Sequence, residues 1–349
     1  SPLTTGARTV VVKVNGANAC GGVCTAETNP SDGTWSILNV NFGAVGDVVT
    51  VFLDNEVENA ATVTRATATN ITALDLYIDR LIVRHEDVGP ITNANLGQYD
   101  NDNDLESDLG FTSNAGVLTV ADGVELHVLA GETFGPGGAV TTSPSASAAS
   151  ADGDVHLVGT LNMAANALSV GGDYNNQGTF SRSAGQTSTF TATGTGFTIT
   201  PGTANFEHLT FNGIGGGWSF ATAPTIDGNL TITNGTLTAP STTLTLSGSY
   251  SNAGTFTHNS GTVLFNATTA GKTLGGTMTG TSAFNALTFN GIGGGWSFGA
   301  SAADVAGTLT ITNGTVTAPS TTLTLTGNYS NAGTFTHNSG TVLFNATTA

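Results

Sequence analysis

The strongest constraint on this chain is a long stretch that it contains twice, at 228–270 and at 307–349. The two copies differ at four positions: Asn229/Thr308, Leu237/Val316, Ser247/Thr326 and Ser249/Asn328. The decamer FNGIGGGWSF also occurs twice, at 211–220 and 289–298, so the two copies differ in length by one inserted residue. Long repeats of this kind are typical of solenoids, in which each coil packs against its neighbours.

Within each copy, apolar residues alternate with threonine over short runs such as Leu230-Thr231-Ile232 and Leu244-Thr245-Leu246. Alternation turns one set of side chains inward and the other toward solvent. Strands this short are unstable as separate hairpins, but they form continuous parallel ladders when coil stacks on coil. Coils of about 20 residues would give about four coils per copy. We therefore expect an all-β fold whose main part is a right-handed parallel β-helix.

Asn-Gly pairs recur in both copies and are expected to mark the corners between strands. They stand at 212–213, 234–235, 290–291 and 313–314. Glycine at each pair would supply the positive φ angle that a tight corner requires.

The chain before the repeats predicts two further regions. Residues 1–68 contain β-rich runs at 8–14, 34–40, 48–53 and 61–65 separated by turn signals, a pattern that predicts a small Ig-like β-sandwich. Trp35 would fill its core, with sugar stacking as the alternative. Residues 69–158 are expected to form the first β-helical coils. The repeat β-helix follows at 159–349, as a degenerate copy at 159–211 and copies at about 212–289 and 290–349, the last incomplete.

The most acidic stretch lies in the first predicted coils and is a candidate calcium site. Its carboxylates are Asp100, Asp102, Asp104, Glu106 and Asp108. Alternate carboxylates on a loop could converge their oxygens on Ca²⁺. Leu105 stands where an EF-hand loop has its glycine, and Phe111 where it has its bidentate glutamate. A solvated acidic loop therefore remains the alternative.

Two cysteines, Cys20 and Cys24, stand in one short loop. The spacing favours a local disulfide, which would indicate an oxidising, exported location. A reduced pair or half of a metal site is the alternative, although no second cysteine pair or nearby histidine completes four zinc ligands.

The charge balance excludes some partners. The formal net charge is −17 with only seven Lys and Arg residues. Nucleic acids and anionic membranes need basic surfaces, so neither is expected as a partner. No run of 18 apolar residues occurs, so no membrane span is expected.

Aromatic and histidine side chains recur with the repeat. Trp218 and Trp296 each follow a run of three glycines. Each ring could cover a coil corner, or the two could form an aromatic row for glycan stacking or for lateral packing between fibres. His258 and His337 are equivalent positions of the two copies. A full repeat separates them, too far for them to share a metal, and both are expected to face solvent in turns.

The phrases GNLTITNGTLTAPS, GSYSNAGTFTHNSGTVLFNAT and FNALTFNGIGGGWSF resemble the β-strand repeats of large secreted bacterial surface proteins. That family is broadly similar to filamentous-haemagglutinin and autotransporter passenger β-helices. The resemblance covers roughly residues 110–349. It implies an extracellular, elongated, structural or adhesive protein and carries over no catalytic residues.

The expected function is therefore that of an extracellular structural protein that self-associates into a fibre, stalk or surface-layer-like assembly. An adhesin that binds glycans or another cell surface is the alternative. A polysaccharide-degrading enzyme is a second alternative, but carboxylates from residue 151 onward are few and scattered along the predicted axis. We expect no enzymatic activity, and no cofactor apart from calcium.

Overall fold

The protein, described by a computed structural model over residues 6–86, 89–99 and 108–346, is an all-β chain with 47% of its residues in strands. Most of its strands wind into a parallel β-solenoid, which confirms the predicted all-β solenoid, while the N-terminal sandwich stays a prediction. The right-handed sense of the winding stays a prediction. The chain divides into two compact units, residues 1–145 with 149–183 and residues 146–148 with 184–349.

The first unit contains sixteen strands within its described residues and one single-turn helix. They are β1 (Thr9–Val14), β2 (Ala17–Asn18), β3 (Cys24–Glu27), β4 (Val48–Leu53), β5 (Ala60–Arg65), β6 (Arg80–Val83), α1 (Asn93–Leu96), β7 (Phe111–Asn114), β8 (Val117–Val120), β9 (Glu125–Val128), β10 (Thr133–Phe134), β11 (Val140–Thr142), β12 (Val155–Leu157), β13 (Thr160–Ala164), β14 (Leu168–Val170), β15 (Tyr174–Asn176) and β16 (Thr179–Arg182).

The N-terminal strands form an antiparallel sheet in the order β3-β1-β4-β5. Valines at alternate positions of β1 and β4 pack on one side of it into a core that also contains Cys24. Parallel pairing then begins, because β5 pairs with β6 and β6 with β9. The N-terminal region is therefore continuous with the first solenoid coils through one run of hydrogen-bonded strands.

Residues 34–40, which the sequence predicts as a strand, form none, and neither do residues 74–78. Their apolar side chains, Trp35 and Leu74 among them, pack partly buried against the antiparallel sheet. Asn39 and Ala73 have φ angles of 60° and 52°, and a left-handed residue interrupts the extended backbone that a ladder requires. The strand prediction is wrong at 34–40, and Trp35 packs against this core only partly buried, whereas the sequence predicts that it fills the core.

The second unit contains seventeen strands within its described residues, and a 3₁₀ turn at Gly280–Ser282. The strands are β17 (Thr187–Phe190), β18 (Phe197–Thr200), β19 (His208–Phe220), β20 (Thr225–Ile226), β21 (Leu230–Thr238), β22 (Thr243–Leu246), β23 (Tyr250–Asn252), β24 (Thr255–Thr257), β25 (Thr262–Phe265), β26 (Lys272–Gly276), β27 (Ala286–Ser297), β28 (Ala303–Val305), β29 (Leu309–Thr317), β30 (Thr322–Leu325), β31 (Tyr329–Asn331), β32 (Thr334–Thr336) and β33 (Thr341–Phe344).

Each coil of the second unit has three faces. The first part of β21 pairs with β23, its last part pairs with β24, and β22 pairs with β25. The bend within β21 lies at Gly235, whose φ angle is 82°. Inward residues stack from coil to coil and are almost fully buried except in the last coil, and each buried apolar side chain contributes about 1.5–3 kcal/mol.

One sequence repeat is not a whole number of coils. Successive partners in one ladder are Leu209, Leu230, Tyr250 and Leu274. The strand of Leu274 next pairs with the segment of Trp296, not with Leu287, which is the equivalent of Leu209 in the second copy. The second copy therefore starts on a different face from the first.

Leu287 belongs to the ladder of Val263 and Leu309. One copy thus contains three whole coils and two of the three faces of the next, about 3⅔ coils, and the expectation of four is wrong.

Coil length also varies within the copy. The stretch of chain from Tyr250 to its partner Leu274 is longer than that from Leu230 to Tyr250, because the coil between Tyr250 and Leu274 contains a longer loop, between β25 and β26.

Candidate functional site

Two acid-apolar-histidine triplets lie on neighbouring coils of the first unit. They are Glu125-Leu126-His127 in β9 and Asp154-Val155-His156 at β12. Leu126 pairs with Val155, and both are buried in the core. Because side chains alternate along a strand, the acids and histidines project together from the opposite side of the sheet.

The two histidines and Glu125 form a compact cluster, which we call the Glu-His-His cluster. Glu125 Oε1 lies 2.7 Å from His127 Nδ1 and 3.5 Å from His156 Nδ1. The imidazole rings are edge to face, with centroids 4.6 Å apart. One ligand atom from each of the three residues lies within 4.8 Å of the other two. The cluster could therefore hold one small cation.

Two members of the Glu-His-His cluster are shielded from water, and the third, His156, is half-buried. Glu125 and His127 are 5% and 7% exposed. Arg80, on the neighbouring strand β6, places Nε 3.4 Å from Glu125 Oε2. Burial raises the pKa of Glu125, but hydrogen bonds to His127 and His156 and the charge of Arg80 outweigh it and lower that pKa to about 2. Glu125 is thus an anion throughout the physiological range.

The pKa of Asp154, which lies beside the cluster, is raised, whereas that of Glu125 is lowered. Burial raises its pKa, a hydrogen bond from the Asp173 N–H lowers it, and the nearby charges of Asp173, Glu125 and Asp152 raise it again. The result is a pKa of about 7. Asp154 therefore carries a proton for much of the time near neutral pH, chiefly because burial disfavours its charged form.

Sequence reasoning missed the Glu-His-His cluster. His127 and His156 are direct ladder partners, but the chain between them is well above the coil length that the repeats indicate. The repeated acid-apolar-histidine pattern was the available signal. The pairing could not be inferred because this coil contains a long connection between β11 and β12, whose length does not follow from strand periodicity.

Most of the predicted calcium ligands, Asp100, Asp102, Asp104 and Glu106, lie outside the described residues. Asp108 lies inside them, and its Oδ2 accepts a hydrogen bond from the N–H of Asn55 at 2.6 Å. Calcium binding by this stretch stays a prediction.

Cys20 and Cys24 form a disulfide, with Cα atoms 5.3 Å apart. The bond closes the loop between β2 and β3, and Cys24 is buried in the core of the antiparallel sheet. The local disulfide predicted from the sequence is therefore present, and its consequence for localisation is a proposal.

Trp218 and Trp296 do not form an exposed aromatic row, because each is only 2% exposed. Their ring centroids lie 5.2 Å from Phe211 and Phe289. A Cβ atom at Gly216 would lie 2.4 Å from the Trp218 ring, so the glycines leave room for the indole. The prediction of glycan or lateral contact by these rings is wrong, and the alternative, a ring that covers a coil corner, is confirmed.

His258 and His337 lie in turns, as predicted. Each Nδ1 accepts a hydrogen bond from the backbone N–H two residues later, at 2.9 Å from Ser260 and 3.2 Å from Ser339. These bonds fix the turns and do not bring other histidines or acids together. Neither residue belongs to a group with metal-ligand spacing in the part of the chain that the structure describes.

Fold and site together define a parallel β-solenoid repeat protein with one buried Glu-His-His cluster among its described residues. No protein-family model, curated protein or solved structure matches the chain. Among the described residues, none of the helices has the length and apolar character needed to cross a membrane.

Proposed function

We propose that the chain is an extracellular structural protein, a repeat-built subunit of a surface fibre, stalk or surface-layer-like assembly. It would belong to the bacterial β-strand-repeat type, with an Ig-like module at its N-terminus. The Cys20–Cys24 disulfide supports an oxidising environment. The described part of the repeats also contains no group of acids and histidines with metal-ligand spacing, which favours a mechanical role over a chemical one.

One observation carries the assembly proposal. Ile214 and Ile292 are 80% and 79% exposed, although nearly all inward apolar side chains of the same coils are buried. Each follows an Asn-Gly pair and precedes a glycine with a φ angle of 82°. A lone exposed isoleucine is ordinary, but an equally exposed one in both copies offers a repeated apolar contact.

The 3⅔-coil repeat sets the direction of these contacts. Ile214 lies at the corner between the two segments of β19, which pair with different neighbours, and Ile292 lies at the equivalent corner of β27. Because the second copy is turned by one face, the two isoleucines point from different corners of the coil. Contacts between copies of the chain would then spread in more than one lateral direction, as in a sheet or bundle.

The double substitution Ile214→Asp with Ile292→Asp tests this proposal. A charge buried at a contact between chains is costly, so we expect association to weaken at least about 10-fold, or 1.4 kcal/mol. Sedimentation velocity measures the association, and electron microscopy shows whether ordered filaments or sheets disappear.

A matched control adds the same charge elsewhere in both copies. Thr203 and Thr281 are exposed residues at equivalent positions of the two copies. Thr203→Asp with Thr281→Asp should leave assembly unchanged. The proposal would be contradicted if both double variants lost association equally, or if the wild-type chain stayed monomeric at high concentration.

A further inference from the structure

We propose that Glu125, His127 and His156 form a binding site for a divalent first-row transition cation of the Zn²⁺ type. The three side chains project from adjacent coils toward one point, with ligand atoms within 4.8 Å of one another. Two imidazoles and one carboxylate make a donor set that such cations prefer. Ca²⁺ and Mg²⁺ prefer oxygen ligands throughout, so this site is distinct in chemistry from the acidic stretch at 100–108.

The hydrogen bonds within the cluster do not satisfy its polar atoms. A single oxygen, Glu125 Oε1, serves both histidines, and its 3.5 Å separation from His156 Nδ1 is long for a hydrogen bond. His156 Nε2 is buried without a hydrogen-bond partner among the described residues. Both histidines contact the same oxygen, Glu125 Oε1. A bound cation would instead be coordinated directly by one nitrogen of each imidazole ring.

The surroundings of the cluster suit a bound cation. Arg80 contacts the other carboxylate oxygen, Oε2, and so orients Glu125 with Oε1 toward the two histidines. Asp154 stands beside Glu125 in the next coil, close enough for their charges to interact. A bound dication would offset the negative charge of Glu125.

The cation would link two coils. His127 in β9 and His156 in β12 are ladder partners, joined through a coil that contains a long loop. A shared ligand bond would hold the two strands in register where the connecting chain constrains them least. The proposed site is thus a structural clamp between two coils of the first unit, with Glu125 and His127 buried and His156 half-buried.

Isothermal titration of the chelator-treated full chain with ZnCl₂ tests the proposal. We expect binding of one Zn²⁺ per chain. Loss of an outer partner alone weakens metal binding about 10- to 100-fold, so Arg80→Gln should reduce affinity within that range. Removal of a ligand by His127→Ala or His156→Ala should reduce it by more than about 100-fold.

His258→Ala is the matched control, since it removes a histidine that lies in a turn of the second unit, and it should leave Zn²⁺ affinity unchanged. Co²⁺ bound to the wild-type chain should give visible absorption bands of a low-coordinate site with nitrogen ligands. This spectrum is recorded on the wild-type chain, so it tests the proposal even if the alanine variants fail to fold. No stoichiometric Zn²⁺ binding, or binding that His156→Ala retains, would overturn the proposal.

Discussion

Replacement of Gly213 by alanine is expected to lower the free energy of unfolding of the repeat region by about 3 kcal/mol or more. A Cβ atom at Gly213 would lie 1.8 Å from the carbonyl oxygen of Ala192. The obstacle is backbone of the preceding coil, which cannot rotate away as a side chain can. The substitution therefore forces two coils apart along a ladder. Denaturant unfolding, followed by circular dichroism, measures the loss.

Gly275→Ala provides the matched control within the same unit. Its nearest neighbour would be Ser301 Oγ at 3.9 Å, an ordinary contact distance, and Gly275 has no positive φ angle. Because alanine costs less backbone entropy than glycine in a strand, this variant should unfold at the same or slightly higher denaturant concentration. Equal destabilisation by both substitutions would contradict the close-approach explanation for Gly213.

Replacement of Trp218 by alanine is expected to cost about 3–5 kcal/mol, the usual range for removal of a large buried aromatic ring. Its ring packs against Phe211, which in turn stacks on Phe190 with centroids 5.4 Å apart. The lost ring would leave a cavity that glycines on either side cannot fill. Trp296→Ala should cost a similar amount, since Trp296 packs on Phe289 in the same way. Thermal and denaturant unfolding measure both effects.

The exposed neighbour Ile214 gives the comparison for Trp218. Ile214→Ala should change the free energy of unfolding by less than about 0.5 kcal/mol, because the side chain is 80% exposed. A Trp218→Ala variant as stable as wild type would show that the ring is not part of the core. In that case a surface role for the indole, as in glycan stacking, would again have to be considered.

The fold class followed from the sequence because alternation and repetition both depend on local residues. In Leu230-Thr231-Ile232 the alternation indicates which side chains point inward and which point outward. The same tripeptide recurs at Leu309-Thr310-Ile311, and this repetition predicts stacking of coils. Coil length was harder, because it depends on loops such as that between β25 and β26, which carry no periodic signal. An error of one third of a coil changes which ladder the second copy joins.

Glycine had two separate roles that the sequence could not distinguish. Gly235 and Gly314 have φ angles of 82° and 85°, as expected for Asn-Gly corners. Gly213 and Gly291 stand in the same dipeptide without a positive φ angle, and each is needed because a Cβ would lie 1.8 Å from a carbonyl oxygen. Close approach of two coils is a tertiary property, so only the structure could assign it. The Glu-His-His cluster was hidden for the same reason.

Cysteine cross-linking measures directly the register in which the two copies stack. Leu264 and Thr288 are ladder partners with outward, half-buried side chains. Cysteines at neighbouring ladder positions lie within disulfide distance. A repeat of four whole coils would instead set Thr288 beside a residue about 20 positions earlier, such as Thr268.

We expect the Leu264→Cys, Thr288→Cys variant to form an intramolecular disulfide on mild oxidation, as detected by mass spectrometry of its peptides. The Thr268→Cys, Thr288→Cys variant should remain unlinked under the same conditions. The opposite result, a link from 288 to 268 and none to 264, would contradict the 3⅔-coil repeat and the contact directions that we derive from it.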